Sequence, residues 1–203
     1  MHSATVSLNM RIFGIKLQIS VRVFILLAVA AMILPWRWLF AMLTAASIHE
    51  MGHLLVLRLQ KVTVEGVQID ISGARILTAF LSPRQELLCA CAGPGAAALL
   101  IGLGRLYPEL AICAFIQSAY NLIPIMPFDG GRIMRCVINS IFPQYIAEKV
   151  LTGTEILICS CAVFLGVISL LNNLFYLSVI ALAFAALTVK RKIACNGGVS
   201  AVQ

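Results

Sequence analysis

The chain has 203 residues, 61% of them apolar and only 11% charged, with a mean hydropathy of +1.00 and a formal net charge of +7. A soluble domain of that composition would have too little polar surface to set against water, so an integral membrane protein is expected, one domain or one helical bundle in size. The basic residues form no patch of the kind nucleic acid requires; they stand in the breaks between apolar runs, where such residues fix membrane topology. No nucleic-acid partner is expected.

Residues 1–20 carry Arg11 and Lys16 among Ile12, Phe13, Ile15, Leu17 and Ile19, a weakly amphipathic mixture suited to the membrane surface. No cleavable signal peptide stands out, because the first apolar run follows a basic stretch and lacks a clear small-residue cleavage site. That run, about 21–36, is the first candidate span and closes on Pro35-Trp36-Arg37-Trp38, an interfacial anchor. The second, about 38–58, is closed by Arg58 and Lys61. From 62 to 77 the pattern changes: Val62, Val64, Val67, Ile69 and Ile71 alternate with polar residues, with Gly66 and Gly73 as breaks, which predicts a strand or hairpin.

A third span, about 85–104, is interrupted by Ala92-Gly93-Pro94-Gly95, and the freed backbone there must be satisfied by neighbouring protein. Ala96, Ala97 and Ala98 permit close helix approach. The fourth, about 109–123, runs into Asn121-Leu-Ile-Pro124-Ile-Met-Pro127-Phe-Asp129-Gly130-Gly131, extended or broken chain because two prolines three apart do not fit a helix interior. A new helix is expected from about 131, a fifth span over about 149–171 and a sixth over about 174–189, joined at Asn172-Asn173 and stopped by Lys190-Arg191-Lys192. The expected fold class is therefore an all-α membrane protein of about six transmembrane helices, with a short cytoplasmic β-hairpin between the second and third. With six spans, 13 Lys and Arg fall on the side of the N-terminus and 2 (Arg37, Arg105) on the other, which puts both termini in the cytoplasm.

Seven cysteines, most inside or beside apolar segments, read as small packing residues. Cys89/Cys91 and Cys159/Cys161 are two apart, a spacing that points side chains to different helix faces and makes a poor chelate.

The second span holds the chemistry. His49-Glu50-Met51-Gly52-His53 places two of the three histidines of the chain, the other being His2, in a segment otherwise fit for lipid. Ionisable groups at that depth mark function. Residues four apart share a helix face, so His49 and His53 can reach one ion, and Glu50 is placed to address a water beside it. This is the zinc-hydrolase arrangement, with Glu as general base. A helix running outward to inward puts His53 five residues before Arg58, roughly 8–14 Å from the cytoplasmic face. A catalytic zinc site usually takes a third protein ligand. Of the acids left at membrane depth, Asp129 and Glu155, Asp129 is favoured because proline-rich chain fixes it beside glycines that permit close approach. The histidines alone could serve as polar contacts between helices; Glu50 and Asp129 weigh against that.

His49-Glu50-x-x-His53, then Ala92-Gly93-Pro94, then Asn121-x-x-Pro124-x-x-Pro127-x-Asp129-Gly130 resemble the three signature stretches of the site-2 proteases, intramembrane zinc metalloproteases. The layout, with the zinc helix second, is most similar to the stage IV sporulation protein FB group, and the resemblance covers about residues 15–190. It implies one Zn²⁺ per chain on His49, His53 and Asp129, with Glu50 catalytic. It also implies a substrate-binding stretch at Asn121, Pro124 and Pro127, Asn121 making the direct contact. Members of that group often carry a C-terminal CBS domain; here a single intramembrane metalloprotease domain, 1–203 with its core at about 38–140 and no CBS domain, is expected. The implied setting is the bacterial cell membrane or a forespore membrane, in multi-pass form. The implied substrate is a membrane-associated protein such as a sigma-factor precursor or an anti-sigma factor. Regulatory membrane partners or self-association are further expectations. A transporter would show ligands along a path and internal repeats; one compact cluster and no convincing repeat are found. An inactive scaffold of the same fold would typically lack Glu50 or a ligand.

Overall fold

The computed structural model describes residues 7–12, 15–70, 73–126 and 128–172, and divides the chain into two compact units, Met1–Ile123 and Pro124–Gln203. The first unit begins with strands. β1 (Ser7–Ile12) and β2 (Ile15–Ser20) form an antiparallel hairpin; β2 then pairs in parallel with β3 (Val64–Asp70), and β3 in antiparallel with β4 (Gly73–Thr78). The sheet order is β1-β2-β3-β4.

The register explains the sheet. Leu8 opposes Ile19 and Met10 opposes Leu17; Leu17 and Ile19 in turn oppose Val67 and Ile69, and Val67 opposes Ile76. Side chains alternate across a strand, so these residues share one apolar face. Arg11, Lys16, Gln18, Gln68 and Arg75 share the other, where Gln68 Nε2 donates to Gln18 Oε1 at 2.8 Å. The hairpin expected from 62–77 is present. Where a surface amphipathic stretch was expected, Ser7–Ile12 and Ile15–Ser20 are strands, and the all-α class is corrected to a mostly helical fold with a four-stranded sheet. The period-two alternation from Leu8 to Ile19 becomes stable only through the parallel partner β3, far along the chain.

Four helices complete the unit: α1 (Val21–Ile33), α2 (Trp36–Leu59), α3 (Pro83–Ile101) and α4 (Pro108–Asn121). α3 starts on a capping box in which the Ser82 hydroxyl accepts from the Gln85 N–H and the Gln85 side chain accepts from the Ser82 N–H. It continues through Pro94 rather than breaking there. α2, α3 and α4 pack through small residues: Ala45, Ala97, Leu100 and Ala114 form one buried cluster. A Cβ on Gly52 would sit 2.6 Å from the Ala92 carbonyl oxygen and 2.9 Å from the Ala96 Cβ, so α2 and α3 touch backbone to backbone there. Running along α2 from Ala45 to Gly52 descends α3 from Ala97 to Ala92, so these two helices are antiparallel. α4 is parallel to α2, and Arg37 at the start of α2 lies 3.7 Å from Glu109 at the start of α4.

In the second unit, an irregular segment leads into α5 (Asp129–Ile141) and α6 (Gln144–Leu171). Among the described residues, α2 and α6 are long and apolar enough to cross a membrane. On α6, Phe164 and Leu165 are 65% and 59% exposed. The expected sixth span, about 174–189, lies outside the described residues.

Candidate metal centre

One face of α2 buries Ala41, Ala45, His49, Gly52, His53 and Leu57, the i, i+4, i+8 stripe of a core-facing helix, with the two histidines in the middle of it. His49 is 1% and His53 5% exposed. Their rings meet edge to face, centroids 4.9 Å apart at 79°, and the two Nε2 atoms approach to 3.2 Å. His53 Nδ1 donates to the Cys89 carbonyl oxygen at 2.8 Å. A carbonyl only accepts, so the proton sits on Nδ1 and the Nε2 lone pair is left facing His49. Holding a ligating imidazole by its other nitrogen is how metal sites fix tautomer and ring orientation.

The floor under the rings is Gly93. A Cβ there would overlap His53 Nε2 and come within 2.6 Å of His53 Cε1 and 2.7 Å of His49 Nε2. Only glycine lets α3 pass so close to both rings. Gly52 on α2 and Gly93 on α3 thus serve one purpose: each removes the side chain that would hold the helices apart.

Asp129 opens α5, where the unsatisfied N–H groups favour a carboxylate. It is 6% exposed, and Arg132 lies 3.5 Å away, one turn along the same helix. The chain before it is held by a turn in which the Phe128 N–H donates to the Ile125 carbonyl at 3.0 Å. Gly131 packs on that turn; a Cβ at Gly131 would lie 2.5 Å from the Ile125 oxygen and 2.6 Å from the Met126 nitrogen. Ile125 and Phe128 are themselves buried, which anchors the turn.

His49 and His53 on α2, and Asp129 at the start of α5, are each buried. The donor set suits zinc. Two nitrogens bound tetrahedrally at roughly 2.0–2.1 Å would be about 3.3 Å apart, against the 3.2 Å found. Glu50, half-buried, follows the first ligand on α2. Asn121 is half-buried at the end of α4, on the stripe that carries Ala111, Ala114 and Ser118. Pro124 is half-buried in the irregular segment, Pro127 lies outside the described residues, and Glu155 is half-buried on α6. Sequence reasoning treats the Ala92-Gly93-Pro94-Gly95 stretch as a break in a helix and Cys89 as packing. It misses Gly93 as the clearance for both rings and the Cys89 carbonyl as a ring anchor. The first was within reach, since a glycine beside a proline in a span predicts close approach; the second is a backbone atom without a residue signature.

The fold has a known counterpart in three dimensions. A site-2 protease from Methanocaldococcus jannaschii superposes with a TM-score of 0.64 over 92% of this chain and 94% of that one, at 20% identity. The fold is that of a site-2 protease. By sequence, the chain is 27% identical over 131 residues (57% of its length) to a zinc metalloprotease of Methanocaldococcus jannaschii. It is 29% identical over 124 residues (50% of its length) to a Synechocystis protein that bears a provisional name of the same class. The matched stretches span about a third of those relatives, 38% and 32% of their lengths. No family model matches the chain. The site-2 protease fold and the zinc-metalloprotease names of the relatives agree with the chemistry of the buried donor set.

Proposed function

We propose that this chain is a membrane-embedded zinc endopeptidase of the site-2 type, cutting a peptide bond of a membrane-associated protein near the cytoplasmic face. The observation that carries the reading is the pair of Nε2 atoms 3.2 Å apart on the buried face of α2. His49, His53 and Asp129 hold one Zn²⁺. When bound, the ion supplies Lewis acidity, which polarises a carbonyl and makes water nucleophilic near neutral pH. Glu50 takes the proton of the attacking water and hands it to the leaving amine. The Asn121 amide holds the substrate backbone or the developing oxyanion, and Pro124 and Pro127 fix the segment that presents it.

A peptide bond within a membrane helix is already hydrogen-bonded and shielded, so cleavage requires local unwinding. β4, an edge strand of the sheet, offers unpaired backbone groups to an unwound substrate by strand addition. The apolar runs and the bias of Lys and Arg support a multi-pass bacterial membrane protein with both termini in the cytoplasm. The order of the motifs supports a place near the sporulation FB group and substrates such as a sigma-factor precursor or an anti-sigma factor.

The test is co-expression of the full chain with such substrates, comparing it with Glu50→Gln. Loss of cleavage by roughly 10²–10⁴-fold with zinc content retained supports the base role; cleavage at the original rate in Glu50→Gln overturns it.

A further inference from the structure

His53 has its second ring nitrogen held by the Cys89 carbonyl. The geometry points to Ser118 as the residue that does the same for His49: its hydroxyl accepts the His49 Nδ1–H through one bridging water, and holds the ring with Nε2 toward the ion. This rests on the zinc reading of His49 given above.

Two independent observations meet at Ser118. The first is burial without a partner: Ser118 is 8% exposed, and its Oγ is enclosed with no hydrogen bond among the described residues. A serine in a helix usually resolves that by bonding the carbonyl one turn back. Here it does not, and a buried hydroxyl left without a partner is destabilising. The second is its level in the bundle. Ala45 of α2, Ala97 of α3 and Ala114 of α4 meet in one cluster. One turn along each helix in the same direction, about 6 Å, leads to His49 on α2, to Gly93 on the antiparallel α3 and to Ser118 on α4. The step is checked on two of the three helices, because Gly93 does lie against His49 Nε2. On the third, Ala111, Ala114 and Ser118 form one buried stripe, so Ser118 keeps the inward direction of Ala114. The hydroxyl therefore enters the bundle at the depth of the His49 ring.

The chemistry fits the position. Nε2 of His49 faces Nε2 of His53, so Nδ1 is the nitrogen left for an outer contact. A hydroxyl accepts from an imidazole N–H and keeps its own hydrogen for a second partner. An outer partner of this kind is typically worth 10–100-fold in metal affinity. Ser118 is a positioning residue in this account; it touches neither ion nor substrate.

The experiment uses the full chain in detergent or nanodiscs and measures zinc affinity by chelator competition, the visible spectrum of the Co²⁺-substituted protein, and the melting temperature without metal. Ser118→Ala and Ser118→Cys are expected to weaken zinc about 10–100-fold and to shift the Co²⁺ bands. The metal-free melting temperature should not fall, and Ser118→Thr, which keeps the hydroxyl, should restore both affinity and spectrum. Zinc affinity within twofold of wild type and an unchanged Co²⁺ spectrum in both hydroxyl-free variants would overturn the inference while leaving the zinc reading intact. Equal losses in Ser118→Thr and Ser118→Ala, or a drop in metal-free stability that matches the lost affinity, would reduce Ser118 to packing and also overturn it. If the wild-type chain binds neither Zn²⁺ nor Co²⁺, the zinc reading itself fails and this inference with it.

Discussion

Gly93 and His53 are in contact across two helices in a way that excludes any side chain at position 93: a Cβ there would overlap the His53 Nε2. The ligand pair on α2 is thus shaped from α3, and the site depends on an atom that is missing.

Gly93→Ala should therefore separate the two helices or turn both rings away. The expected result is a loss of zinc affinity of roughly tenfold or more, comparable with the loss of an outer contact, together with a loss of cleavage. Because His49 Nε2 is also within 2.7 Å of the added carbon, neither ring has an easy retreat. Chelator competition on the purified variant checks this; wild-type affinity would contradict it.

Gly131 plays the corresponding part for Asp129. The added carbon of Gly131→Ala would meet backbone atoms of Ile125 and Met126, which cannot rotate aside. Overpacking of this kind typically costs about 1–3 kcal/mol. The variant should melt below wild type without metal, and a melting temperature equal to wild type would show that the turn gives way freely.

Asn121→Ala should separate chemistry from metal binding. If the amide holds the developing oxyanion, kcat falls by about 10²–10³ while zinc content stays at the wild-type level; if it holds only the ground-state substrate, KM rises and kcat does not change. Wild-type kcat and KM together would remove Asn121 from the reaction.

What the sequence made legible follows from the range of the interactions. The closeness of His49 and His53 was readable because it is local: they are one turn apart, and helix periodicity alone puts them together. Asp129 was favoured as the third donor because few acids remain at membrane depth; that assignment is part of the proposal. The hairpin from Val64 to Thr78 was readable from alternation across a short turn. The β1–β2 hairpin was misread because its alternation is sparse and its parallel partner lies 50 residues along the chain, with Lys16 opposite Gly66 and Ile19 opposite Ile69. Pro94 looked like a break because proline removes a helix hydrogen bond; α3 carries on because the close packing of Gly52 on Ala92 and Ala96 holds that turn in place. The ring anchor at Cys89 is a carbonyl, identical in every residue, and no side-chain pattern announces it.

The central claim is that two residues of α2 and one residue 76 positions downstream of His53 bind a single ion. The most direct measurement is zinc stoichiometry with zinc-edge X-ray absorption on the full chain and on Asp129→Asn, which keeps the shape of the side chain and removes its charge. The account predicts one zinc per wild-type chain in a nitrogen and oxygen shell at about 2.0–2.1 Å with imidazole scattering, and in Asp129→Asn a weakened affinity and an altered shell. Wild-type affinity and an identical shell in Asp129→Asn would contradict it.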